Sequence, residues 1–309
     1  MYQVKRPARS EFVPLRGQQY HVLAWGRANS PLPPLVLVHG WMDVGASWQF
    51  VVDALSDDFV GDRLIIAPDW RGYGLTTGPK VDNYWFPDYM ADLEFLLDHY
   101  VASRPIDLVG HSMGGNVVMQ YAGARPERIR RLINLEGFGG PATAADEAPD
   151  RYGQWFDELK ALHRGDLALR PYDTVDGVAR RLAKTNPRLA RDEIGRAKAL
   201  WLAHQWAGQD ADGRWSIRGD AAHKIINAQI FRADELIALY RRLSMPVLCI
   251  EAVHDALERW WKGRFSIADY HERLREIPDC RIEVVPDAGH MLHHDQPEHL
   301  ARLFEDFLR

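Results

Sequence analysis

Short, strongly apolar runs that stop abruptly at turn residues recur along this chain, and they limit its fold more than any other feature. Leu35-Val36-Leu37-Val38 ends at His39-Gly40, and Leu64-Ile65-Ile66-Ala67 ends at Pro68-Asp69. Ile106-Asp107-Leu108-Val109 runs into Gly110, and Leu132-Ile133-Asn134-Leu135 runs into Glu136-Gly137. Val247-Leu248-Cys249-Ile250 and Ile282-Glu283-Val284-Val285 come much later. Runs this short and this apolar suit strands covered on both faces, as in a parallel sheet between helices. The intervening stretches, Asp88 to Tyr100 and Asn116 to Ala124 among them, repeat apolar residues at the helical period. Strand-helix alternation of this kind predicts an open α/β sheet. The opening stretches, Glu11 to Leu15 and Gln19 to Trp25, read as an antiparallel hairpin at its edge.

One interval breaks the alternation. From Gly137 to about Asp234 no buried strand is evident, and the periodicity predicts helices over Arg151 to Arg164, Val175 to Lys184 and Arg191 to Trp206. Pro141, Pro149, Pro171 and Pro187 punctuate them. The expected organisation is a core domain from residues 1–136 and 235–309 carrying a helical insertion, residues 137–234. No internal repeat or low-complexity segment interrupts either part.

Composition excludes several classes. A formal charge of -5 over 309 residues offers no basic face for nucleic acid. The two cysteines, Cys249 and Cys280, build no disulfide framework, and Cys249 sits in an apolar run as a small buried hydrophobe would. No uncharged apolar stretch approaches the ~20 residues that span a bilayer. Met1 to Pro7 begins basic, but no apolar segment follows to make a secretory signal, so a cytoplasmic location is expected. Nothing in the sequence speaks to oligomeric state.

The chemistry concentrates at strand ends. Gly110-His111-Ser112-Met113-Gly114 lies directly after a predicted strand and before a predicted helix, the context in which G-x-S-x-G holds a nucleophilic serine. Side chains at the flanking glycines would clash in so sharp a turn. The turn lifts the Ser112 hydroxyl above the sheet edge and sets the Met113 N–H at a helix N-terminus, where negative charge is favoured. His39-Gly40-Trp41-Met42-Asp43 follows an earlier strand, and its glycine-containing loop can aim the Trp41 N–H at the same point, giving a two-donor oxyanion hole.

A serine alcohol needs a base. Pro286-Asp287-Ala288-Gly289-His290 is a turn-rich loop after the last predicted strand, followed by a helix from near Pro297. Position singles His290 out among 13 histidines as the general base. His293, His294 and His299 lie close by, but no convincing set of metal ligands accompanies them, and no metal is expected. The acid that orients His290 has two candidates. Asp255, in Glu251-Ala252-Val253-His254-Asp255, follows the penultimate strand and gives the chain order Ser, Asp, His. Glu136 is the alternative, because it follows the strand next to the elbow strand. His39, Asp43, His111, Glu136, Trp155, Trp201 and Trp206 are candidate pocket residues, with His111 more structural than catalytic. The tryptophans of the insertion either line an apolar substrate pocket or pack its helices on the core.

These segments together resemble the α/β-hydrolase fold superfamily over nearly the whole chain. Asp69-Trp70-Arg71-Gly72-Tyr73-Gly74 is similar to the family's D-x-x-G-x-G loop, and Gly289-His290 with Gln296-Pro297-Glu298 is similar to its C-terminal signature. The resemblance implies an eight-stranded, mostly parallel sheet flanked by helices, a helical cap inserted after the sixth strand, and no cofactor. The nearest flavour is the capped group that holds carboxylesterases, serine-hydrolase-like proteins, carbon–carbon bond hydrolases, haloalkane dehalogenases and epoxide hydrolases. Ser112 argues against the last two, which place aspartate at the elbow. Some dehalogenases carry their acid after the sixth strand, and that likeness keeps Glu136 in view. The expected activity is a serine esterase acting through an acyl-enzyme on a small to medium, largely apolar substrate. A carbon–carbon bond hydrolase and a weakly catalytic ligand-binding receptor are the alternatives.

Overall fold

The computed structural model describes residues 2–253 and 257–309, the side chain of Glu258 excepted. Ten strands occur among them: β1 (Arg9–Leu15), β2 (Gln18–Trp25), β3 (Leu35–Val38), β4 (Ile65–Pro68), β5 (Ile106–His111), β6 (Ile129–Leu135), β7 (Ala207–Gln209), β8 (Trp215–Ile217), β9 (Val247–Ala252) and β10 (Cys280–Val285). Eight form one sheet in the order β1-β2-β4-β3-β5-β6-β9-β10. Pairing is parallel from β4 through β10, and only β2 runs against its neighbours.

The β1–β2 hairpin closes on Arg16-Gly17, both with positive φ (47° and 78°). A two-residue turn of that kind matches the right-handed twist of the flanking strands. The apolar runs behave as their composition dictates. Every residue of β3, β4, β5 and β9 is buried. The outer strand β10 is different, largely exposed from Arg281 to Val284 because only one neighbour covers it.

Helices cover both faces. One core joins Leu93, Leu96 and Leu97 of the helix Phe86–Val101 to Val117, Val118 and Met119 of Met113–Ala124 and to Tyr240 and Tyr270. The other joins Trp48, Val51 and Val52 to Leu300, Phe304 and Phe307 of the C-terminal helix Pro297–Leu308. Burying each such large apolar side chain contributes about 1.5–3 kcal/mol.

Between β6 and β9 the chain forms helices Ala148–His163, Val175–Thr185 and Glu193–Trp206. The short β7–β8 ribbon was not evident in the periodicity, since three-residue strands leave no pattern to detect. This segment touches loops that follow the sheet strands. The Trp206 indole donates to the Met42 carbonyl at 2.7 Å, and the Asp220 N–H to the Gly72 carbonyl at 3.0 Å. Arg188 and Arg191 pair with Asp287. No helix of the described residues is long and apolar enough to cross a membrane.

Candidate active site

Backbone strain marks the carboxyl ends of the strands. Among the described residues, Met42, Ser112, Glu136 and Asp287 have φ between 51° and 55° and lie after β3, β5, β6 and β10 respectively. A side-chain-bearing residue holds such a conformation only where its surroundings enforce it.

Ser112 sits at φ 54°, ψ -116° between β5 and the helix Met113–Ala124. Backbone approaches explain the flanking glycines. A Cβ at Gly110 would lie 2.4 Å from the Gly114 oxygen, and one at Gly114 2.5 Å from the His39 oxygen. The Ser112 N–H donates to the Leu135 carbonyl at 2.8 Å, tying the elbow to β6. Met113 opens the helix, where first-turn N–H groups have no intrahelical partner.

His290 Nε2 lies 2.9 Å from Ser112 Oγ, and His290 Nδ1 lies 3.2 Å from Glu136 Oε2. The other Glu136 oxygen accepts the Ala252 N–H at 2.7 Å. The carboxylate is therefore held across the β6–β9 pair while it faces the imidazole. Burial takes the His290 imidazole down to about 4, and the Asp43 carboxylate opposes that shift. At neutral pH the ring is unprotonated and able to accept the serine proton. Asp255, the other candidate acid, lies outside the described residues.

The remaining candidates divide by position. Trp41 is half exposed, and its indole donates to the His223 carbonyl at 3.1 Å. A Cβ at Gly40 would come 3.0 Å from the Ser112 Cβ, so the backbone before Trp41 lies against Ser112. His39 is buried. Its Nε2 accepts the Trp70 N–H at 2.9 Å, which puts the ring proton on Nδ1, donated to the Gly40 carbonyl at 2.8 Å. Asp43 accepts the Val44 N–H, and His111 lies buried behind the elbow. Trp201 packs on Tyr2 and Phe50, Trp206 is buried against the Met42 loop, and Trp155 lies tilted against Phe156. Of the candidate pocket residues, Glu136 is the one that lines a cavity together with Ser112.

That cavity, about 430 Å³, opens beside Ser112. Ser112, Met113, Asn116 and Glu136 line it with Phe86, Phe138, Gly139, Leu257, Trp260 and Trp261. Trp260 also stands edge-on to the His290 ring, centroids 4.6 Å apart. Sequence reasoning missed Asn116, Trp260 and Trp261. Two signals were present: Asn116 is one helical turn beyond Ser112, and Trp260-Trp261 closely follows the β9 loop.

Behind Ser112 lies a buried polar cluster. His111 Nε2 donates to the His290 carbonyl at 2.7 Å, leaving the Nδ1 lone pair without a partner. His293 Nε2 lies 3.1 Å from Ser47 Oγ and 3.6 Å from Asp43 Oδ2. Asp43, His111 and His293 offer ligand atoms within 4.8 Å of one another and are the described residues best arranged for a metal ion. Burial holds His111 at about 3 and His293 well below the ordinary histidine range, so both rings are neutral.

A family model described as alpha/beta hydrolase fold matches residues 33–297. An AB hydrolase superfamily protein of Bacillus subtilis is 25% identical over 307 residues, 97% of each chain. A cis-3-alkyl-4-alkyloxetan-2-one decarboxylase of Shewanella oneidensis is 33% identical over 291 residues, 92% of this chain and 85% of that one. A solved structure of a hypothetical protein from Pseudomonas aeruginosa superposes with a TM-score of 0.79 at 24% identity, over 96% of this chain and 98% of that one.

Proposed function

Because the chain belongs to the α/β-hydrolase fold family, we propose that it is a serine hydrolase cleaving a carboxylic ester of a small to medium, largely apolar substrate. The observation that carries this reading is the 2.9 Å approach of His290 Nε2 to Ser112 Oγ at a strained strand-to-helix turn. Family membership alone leaves the reaction open, since the Shewanella relative is named as a decarboxylase.

In the proposed reaction Ser112 Oγ attacks the ester carbonyl carbon as its proton passes to His290 Nε2. The Met113 and Trp41 N–H groups receive the oxyanion; losing one such donor typically costs about 3 kcal/mol, roughly a hundredfold in rate. Collapse breaks the C–O bond, the leaving alkoxide takes the proton from His290, and an acyl-Ser112 ester remains. Water then enters by the same route and releases the acid. Glu136 is the acid proposed to hold the His290 Nδ1 proton and stabilise the imidazolium, and its 3.2 Å distance supports that role. Residues 137–234 are assigned to a helical cap over the core formed by residues 1–136 and 235–309. Their contacts with the Met42, Gly72 and Asp287 loops support this assignment.

A carbon–carbon bond hydrolase built from the same parts would cleave vinylogous diketones far faster than simple esters. A receptor would bind without turnover. Comparing turnover of a vinylogous diketone with that of a simple ester separates the two hydrolases, and treatment with a fluorophosphonate probe, followed by mass spectrometry of the adduct, separates hydrolase from receptor. Labelling at Ser112 that disappears in His290→Ala is expected. Folded protein that resists the probe would overturn the hydrolase reading in favour of binding.

A further inference from the structure

The cavity beside Ser112 has an unequal chemistry. Its walls are the rings of Phe86, Phe138, Trp260 and Trp261 with Leu257 and Met113, and no lysine or arginine is among the described lining residues. The ionisable side chain there, Glu136, faces His290. An anionic group entering this space would meet the Glu136 carboxylate, with no lysine or arginine among the described lining residues. The wall therefore selects an uncharged, apolar and flat group.

Among the described lining residues, one side-chain amide stands outside the proposed catalytic set. Asn116 lies in the first turn of the helix that follows Ser112, its N–H donating to the Ser112 carbonyl at 3.0 Å, and both residues line the cavity. Helical side chains lean toward the N-terminus, which here means toward the nucleophile. The orientation of its amide is fixed by chemistry. The Gly139 N–H, only a donor, lies 2.7 Å from the Asn116 oxygen, so that atom must be the acceptor Oδ1. Among the described residues the Nδ2 group, with two protons to give, meets no acceptor, and Asn116 stands in the cavity wall.

We infer that this cavity takes an uncharged aromatic moiety bearing a hydrogen-bond acceptor, which the Asn116 Nδ2 group recognises. The inference rests on the serine-hydrolase reading and names the substrate class of that site. Asn116 is a specificity-determining residue that takes no part in the bond-breaking step.

The test uses two p-nitrophenyl esters that differ at one position. The 3-benzoylpropanoate carries a ketone oxygen three carbons from the scissile carbonyl, and the 4-phenylbutanoate carries a methylene there. The wild-type protein is expected to favour the ketone about tenfold in kcat/KM, the worth of one neutral hydrogen bond. Asn116→Asp keeps an acceptor for the Gly139 N–H and removes both donors, so the preference should fall to about one. A merely structural tie to Gly139 would leave the ratio unmoved, and a wild-type ratio of one would also overturn the inference. Binding of the two corresponding methyl esters to Ser112→Ala, read by tryptophan fluorescence, measures the same discrimination without turnover. If Ser112 resists the fluorophosphonate probe, the hydrolase reading fails, and the binding ratio alone decides the role of Asn116. Equal affinities would then reject it.

Discussion

His111 Nε2 donates a hydrogen bond to the main-chain oxygen of His290 across 2.7 Å. A carbonyl cannot donate, so the tautomer of His111 is settled by its partner. The residue before the proposed nucleophile thereby fixes the backbone of the residue proposed as base, although 178 positions separate Ser112 from His290 along the chain. The contact joins the β5 and β10 ends of the site. It does so from a buried position that takes no substrate.

Replacing His111 should therefore disturb catalysis more than folding. His111→Leu fills similar volume but releases the His290 carbonyl. We expect kcat to fall about 10- to 100-fold with little change in KM, since a small misplacement of a catalytic group has effects of that size. Probe labelling of Ser112 should slow in parallel. Unchanged kcat in a folded variant would show that the contact does not position the base.

Glu136→Gln tests the proposed acid. The amide keeps an oxygen for the Ala252 N–H and a similar shape, so the fold should survive. Loss of the carboxylate opposite His290 Nδ1 should lower kcat by about 10³- to 10⁴-fold, as in triads whose acid becomes an amide. Asp255→Asn, made alongside, should do much less; the reverse ranking would move the acid role to Asp255. In the wild-type protein the acid limb of kcat/KM should fall near pH 4 rather than 6.5, because burial depresses the His290 imidazole.

The strands and the strand-to-helix turn that carries Ser112 were legible because each leaves a local mark. Apolar runs ending in Gly or Pro-Asp became strands, buried in β4 and β5 and largely exposed in the edge strand β10, and the close backbone approaches at Gly110 and Gly114 leave no room for side chains beside Ser112. The choice between Glu136 and Asp255 was not legible, since both follow a strand end and the decision depends on which loop faces His290. The pocket was not legible for a related reason. Trp201, Trp206 and Trp260 are alike in composition, yet Trp201 packs on Tyr2 and Phe50, Trp206 caps the Met42 carbonyl, and Trp260 meets His290. Only tertiary packing separates those fates.

Acid should destabilise this fold well before its carboxylates titrate. Burial lowers His39, His293 and His294, and holds His111 and His223 at about 3, the last stacked between Tyr73 and Tyr84. The unfolded chain protonates these rings near 6.5, so between pH 6.5 and 3 it binds more protons than the folded one. Stability contributed by the neutral rings is complete above 6.5 and is lost as pH falls. For His111 and His223 the loss reaches roughly 2 kcal/mol each at pH 5. Thermal unfolding should show Tm dropping steeply from pH 7 to 5, less so in His223→Phe, which retains the ring stack. A flat Tm across that range would refute the argument.

Ser112 itself should weigh against stability. Its φ of 54° and ψ of -116° belong to a region that glycine enters freely and other residues do not. Ser112→Gly removes the strain, and the greater freedom of glycine in the unfolded chain returns part of that gain. The net expectation is a protein about 1 kcal/mol more stable, with Tm raised by about 2 °C and no turnover. Ser112→Ala keeps the strained backbone and should lose turnover without the rise. Calorimetry of the three proteins at pH 8, where the buried histidines are neutral in both states, isolates this difference. A Ser112→Gly protein less stable than Ser112→Ala would mean that the elbow is not strained in solution.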